Sequence, residues 1–142
     1  MLIHGQQGQT VEILLNESLP PVTPRAGDIE LLISVQSGTF AAKSAAWVAL
    51  EDYRSFLSQL RQLEMRREGS ASIESMSPNE FVLTIGIINR KGSWAITGRL
   101  QAYVFGDEGR TFLHAVEFGF DGDADRLLKL VNDFSALFAP PT

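Results

Sequence analysis

Leu50-Glu51-Asp52-Tyr53-Arg54-Ser55-Phe56-Leu57-Ser58-Gln59-Leu60-Arg61-Gln62-Leu63 is the stretch that divides the chain. Leu50, Tyr53, Phe56, Leu57, Leu60 and Leu63 recur at the spacing that lays apolar side chains along one stripe of an α-helix. Glu51 and Asp52 in the first turn and Arg66 and Arg67 in the last suit the helix macrodipole. Gly69 is expected to end the helix as its C-cap glycine.

The period changes on either side. Upstream, Val11, Ile13 and Leu15 alternate with other residues, and so do Ile29, Leu31, Ile33 and Val35, the period-two signature of strands with one apolar face. Leu19-Pro20-Pro21-Val22-Thr23-Pro24 between them is a stiff connector, because proline cannot donate to a ladder. Ser37-Gly38 turns the chain into a third strand, Thr39 to Val48, whose alanines leave room for close packing. Downstream, Ser70–Met76 and Phe81–Ile88 read as strands, and Asn89-Arg90-Lys91-Gly92 as a hairpin loop. Trp94–Phe105 returns, with Gly98 marking a bulge or bend. The Gly106–Gly109 turn then leads to Thr111–Phe120, where His114, Val116, Phe118 and Phe120 share a face. Leu127, Leu130, Val131, Phe134, Leu137 and Phe138 form the stripe of a final helix opening near Asp123–Asp125.

Short connections favour antiparallel neighbours, and two amphipathic helices need an apolar surface to cover. The expected fold is α+β: one curved antiparallel sheet of about six to seven strands, with both helices on one face. Residues 1–142 form one domain, with frayed ends at 1–10 and 139–142. The 142 residues suffice for a core without staples. Neither the composition, 44% hydrophobic and 20% charged, nor any tract suggests disorder, a sequence repeat or a membrane span.

The net charge of −5 argues against a nucleic-acid backbone as partner. With no cysteine, disulfides, thiolate metal sites and cysteine nucleophiles are absent. No signal-peptide pattern opens the chain, so a cytoplasmic location is expected. Asp121-Gly122-Asp123-Ala124-Asp125 starts like a calcium loop, but Arg126 and Asn132 stand where glycine and glutamate are required. Asp123 or Asp125 is better read as a helix cap. His4 and His114 lack metal-ligating helpers, and His114 reads as a half-buried structural histidine. No serine lies in a nucleophile elbow and no glycine-rich phosphate loop occurs. No catalytic, metal or cofactor site is expected.

Charge is uneven. Residues 107 to 133 hold seven acids against three bases, most of the chain's imbalance. Asp107, Glu108, Asp121 and Asp123 are therefore candidates for steering a basic protein partner. Trp94, after a hairpin loop, is the candidate aromatic anchor of such an interface, while Trp47 is expected to pack in the core.

The runs Asp28-Ile29-Glu30-Leu31, Ser37-Gly38-Thr39-Phe40-Ala41, Trp47-Val48-Ala49-Leu50-Glu51-Asp52 and Phe56-Leu57-Ser58-Gln59-Leu60 form a pattern. It continues through Glu68-Gly69-Ser70-Ala71-Ser72-Ile73-Glu74-Ser75-Met76, the Phe81–Ile88 strand, Lys91-Gly92 and Phe118-Gly119-Phe120. Over residues 25 to 137 it resembles the WapI-type immunity proteins of bacterial polymorphic toxin systems. It departs from them at Ala42, where a glycine is common, and at Ala49, where a serine cap is common. The resemblance implies an intracellular protein that binds and neutralises a cognate toxin domain without catalysis. Two other readings stay open: a small-molecule pocket between sheet and helices, lined by the Ala41–Ala46 strand, and self-association through strand edges.

Overall fold

A computed structural model describes residues 1–20 and 26–139. Strands β1 (Leu2–His4), β2 (Thr10–Ser18), β3 (Ile29–Ser37) and β4 (Phe40–Val48) precede helix α1 (Leu50–Arg66). Strands β5 (Ser70–Glu74), β6 (Phe81–Ile87), β7 (Trp94–Phe105) and β8 (Thr111–Asp121) precede helix α2 (Leu127–Leu137). The first four strands form one antiparallel sheet in the order β1-β2-β3-β4, and the last four form another in the order β5-β6-β7-β8.

The expectation of one sheet with six to seven strands is corrected here. Each strand pairs with its neighbour in sequence, as short connections dictate. Between β4 and β5, however, the 17 residues of α1 carry the chain away, and β5 pairs with β6 instead of extending the first sheet. The fold thus repeats a plan of four strands and a helix that no sequence repeat announces. The α+β class and the two helices stand.

The expected frayed N-terminus is also corrected. Residues Leu2–His4 pair with β2, Ile3 facing Val11, and the Met1 ammonium donates to the Ile13 carbonyl at 2.8 Å. A strand this short leaves no alternation to read. The connector expected at Leu19–Pro24 falls partly, from Pro21 on, outside the described residues, as do residues 140–142 of the expected frayed tail.

One continuous core collects the inward residues of both sheets and both helices. It takes Ile29, Leu31, Ile33 and Val35 from β3, Phe81, Leu83 and Ile85 from β6, Phe56 and Leu60 from α1, and Leu130 and Phe134 from α2. Each such side chain contributes roughly 1.5–3 kcal/mol relative to exposure. The Phe56 and Phe134 rings meet edge to face with centroids 4.9 Å apart, joining the two helices. The sheets meet along β4, which lies against β7 and β8, and the Met76 N–H donates to the Trp47 carbonyl at 2.8 Å.

Two glycine expectations change. Gly98 makes no bulge: the pairing of β7 with β6 and with β8 is unbroken through it. A Cβ there would lie 2.4 Å from the Phe118 ring, so the glycine makes room for that ring. The left-handed residue that closes α1 is Arg67, at φ 52°, rather than Gly69. The Arg67 guanidinium donates to the carbonyls of Gly92 and Ala124, both at 3.2 Å, tying the helix end to the β6–β7 loop and the turn before α2.

Candidate protein-binding surface

β7 has 12 residues and β6 only 7, so β7 outruns its neighbour. β6 pairs with Trp94 to Leu100, and the Gln101 N–H still reaches the Glu80 carbonyl at 3.0 Å. From Ala102 to Phe105, β7 pairs only with His114 to Thr111 of β8. The sheet ends there as a two-stranded ribbon that neither β6 nor a helix covers.

The ribbon is apolar on both faces. Tyr103 opposes Leu113 and, with Phe105, lies on the face turned from the core. Val104 opposes Phe112 on the other face, beyond the rim of the core. Phe105 is 81% exposed, Tyr103 57%, Phe112 50% and Leu113 48%. A contiguous exposed patch of large apolar side chains marks an interaction surface more often than chance, and aromatic residues dominate interface energetics.

The chain reverses at the ribbon tip through a 3-10 turn, Asp107–Gly109, closed by the Gly106 N–H donating to the Arg110 carbonyl at 2.9 Å. Glu108 at φ 59° and Gly109 at φ 74° give the turn its left-handed backbone. Asp107 and Glu108 are therefore exposed at the tip. Asp121 ends β8 at the other extreme, and Asp123 opens the 3-10 turn Ala124–Arg126, its Oδ1 accepting the Asp125 N–H at 3.4 Å. The two acidic pairs are not brought together: the 11 residues of β8 hold them roughly 33 Å apart at ~3.3 Å per residue.

Trp94 is not an exposed anchor. It is 1% exposed, at the start of β7, where its Nε1–H donates to the Asp123 carbonyl at 2.8 Å. The hairpin loop before it does not leave it in solvent because the chain after β8 folds over the indole, and the Gly122 N–H donates to the Trp94 carbonyl at 2.9 Å. His114, expected half-buried, is exposed, since it belongs to the ribbon and not to the buried half of β8. Trp47 is half-buried.

The apolar ribbon was the surface that sequence periodicity missed. The signal was available as a length mismatch, a long β7 beside a short β6. The Ala41–Ser44 part of β4 lines an open depression of about 540 Å³ against the ribbon, shared with Leu100, Gln101 and Leu113. Between β1 and α2 a second open depression of about 740 Å³ is lined by Met1, Leu2, His4, Arg126, Lys129 and Asp133. Among the described residues no three His, Asp or Glu side chains converge to hold a metal ion, and no helix is long and apolar enough to cross a membrane.

A family model described as the immunity protein WapI-like family matches residues 1–141. No curated protein matches the chain. A solved structure titled "Crystal structures of trypanosoma bruciei MRP1/MRP2" is similar at 13% identity and a TM-score of 0.45, over 96% of this chain and 80% of that one.

Proposed function

Because the chain belongs to the immunity protein WapI-like family, we propose that it is a non-enzymatic, cytoplasmic protein that binds a cognate bacterial toxin domain and neutralises it by occlusion. The observation that carries this reading is the β7–β8 ribbon, with Tyr103, Phe105, Phe112 and Leu113 all at least 48% exposed. Rigid aromatic side chains at low ordering cost suit a partner that must be held tightly. The acids at Asp107, Glu108, Asp121 and Asp123 favour a toxin with a basic surface, and they speed encounter more than they strengthen the complex.

The test is a pull-down of the tagged protein from lysate of its own organism, followed by an assay of what is retained. The expected result is a toxin domain held at near-equal stoichiometry and inactive while bound. A variant with Tyr103→Ser, Phe105→Ser and Leu113→Ser should fold and fail to neutralise it. A retained toxin that stays active, or a ribbon variant that neutralises as well as the parent chain, would sink the reading.

A further inference from the structure

We infer that the toxin docks by adding a β-strand to the free edge of β8, and that this strand is apolar in its middle and basic at both ends. The inference rests on the toxin-neutralising reading only for the origin of the strand.

The edge follows from the hydrogen-bond pattern. In an antiparallel pair, directly opposed residues alternate between bonded and non-bonded pairs. The Gly122 N–H donates to the Trp94 carbonyl at one end of the β7–β8 pair, and the Gly106 N–H to the Arg110 carbonyl at the other. The register between them is continuous, from Ala95 opposite Asp121 to Phe105 opposite Thr111. The bonded positions of β8 are therefore Phe112, His114, Val116, Phe118 and Phe120. Thr111, Leu113, Ala115, Glu117, Gly119 and Asp121 turn their backbone groups outward. The Asp121 carbonyl is taken by the Gln6 N–H at 3.1 Å. Among the described residues, the outward groups of Thr111 to Gly119 find no backbone partner. Edges of this length are ordinarily blocked, and an incoming strand satisfies them directly.

Charge selects the occupant. From Asp107 to Arg126 the sequence holds six acids and two arginines, Arg110 at the tip and Arg126 at the base, with no acid, lysine or arginine from Thr111 to Val116 in the middle. Glu117, the acid nearest the middle, is paired with Arg99 of β7 at 2.7 Å. The other acids lie at the ends: Asp107 and Glu108 at the tip, Asp121, Asp123 and Asp125 at the base. A second copy would meet its own charge. Paired antiparallel, its tip acids would lie beside the base acids of the first copy; paired parallel, like ends would coincide. Like charges at such positions oppose pairing. A strand with lysine or arginine at both ends meets neither penalty.

Amide hydrogen exchange on the intact protein tests this position by position. The probe is a synthetic peptide of about eleven residues, valine and threonine alternating in its middle and two lysines at each end. In the free protein the amides of Phe112, His114 and Val116 should exchange slowly and those of Leu113, Ala115 and Glu117 fast. Saturating peptide should slow the second set at least tenfold, and the same peptide with glutamate ends should not. Ala115→Pro removes an outward N–H without touching the β7 ladder and should abolish the protection.

Unchanged exchange at Leu113, Ala115 and Glu117 with the lysine-ended peptide overturns the inference, and so does equal protection by the glutamate-ended one. Protection that grows with protein concentration without peptide assigns the edge to a second copy and also overturns it. A toxin that is bound and neutralised while these amides stay fast overturns strand addition alone. A peptide that protects them where no toxin is retained leaves strand addition standing and removes the toxin reading.

Discussion

Asp28 caps a helix that begins 22 residues later: its Oδ1 accepts the Leu50 N–H at 3.1 Å. Ala49, the residue at the N-cap of α1, has no side chain that can do this. The bond fixes the start of α1 against the entry to β3 and couples helix placement to the first sheet. Asp28 is only 7% exposed, so an unmade bond there would not be replaced freely by water. Asp28→Ala should lower stability by about 1–2 kcal/mol, read as a shift of the urea midpoint at constant m-value. Asp28→Asn keeps an acceptor and should recover most of the loss. Equal losses in both variants would show that the cap is not what Asp28 supplies.

The same junction has a pH dependence. Tyr53, one turn into α1, donates its hydroxyl to the Gly27 carbonyl at 3.0 Å and stacks on Phe138 with ring centroids 4.9 Å apart. Burial raises its pKa above the ordinary tyrosine value; Arg54 nearby opposes the rise and Asp28 adds to it. The folded state thus holds the phenolic proton more tightly than the unfolded chain. Its contribution is fully present below the unfolded value of about 10 and is lost as pH rises through the folded one. Urea midpoints should fall above roughly pH 10, and Tyr53→Phe should flatten that fall. A parent chain and a Tyr53→Phe variant with the same alkaline slope would contradict this.

Trp94 and Gly122 predict each other's tolerance. A Cβ on Gly122 would lie 2.1 Å from the Trp94 indole, which is itself buried. Gly122→Ala should cost about 2–3 kcal/mol by overpacking, and Trp94→Leu a comparable amount by lost volume and the lost bond to Asp123. The double variant should be more stable than the sum of the two losses, because the smaller side chain removes the clash. Chemical denaturation of the four proteins measures the coupling, and strict additivity would mean the indole has another way to yield.

Among the described residues, the period of the apolar residues made both helices and seven of the eight strands legible, since one buried face leaves a clear pattern. The division into two sheets was not legible, because strand pairing across α1 depends on where the helix packs and not on any local signal. Trp94 and Phe105 show the limit for the surface. Both are large aromatics at the ends of β7, eleven residues apart, so alternation puts them on opposite faces without saying which face is covered at either end. The path after β8 buries the first on the inward face, and the short β6 leaves the end of β7 that carries the second uncovered. The acidic residues were visible as a cluster in sequence, but β8 is one extended strand of 11 residues, so it separates them to opposite ends.

That separation shapes the last expectation, the kinetics of association with the toxin. Asp107→Asn with Glu108→Gln removes both acids at the tip; Asp121→Asn with Asp123→Asn removes two of the three at the base, and asparagine at 123 keeps the turn cap. Charges some 33 Å apart, at ~3.3 Å per residue of β8, act on an approaching partner almost independently. Each pair should slow association about threefold at low ionic strength and both together about tenfold, with dissociation nearly unchanged. At about 0.15 M salt, where the screening length is ~8 Å, most of the difference should vanish. Stopped-flow association at two salt concentrations reads both numbers. An unchanged on-rate in the fourfold variant would mean that the acids serve only solubility and turn capping.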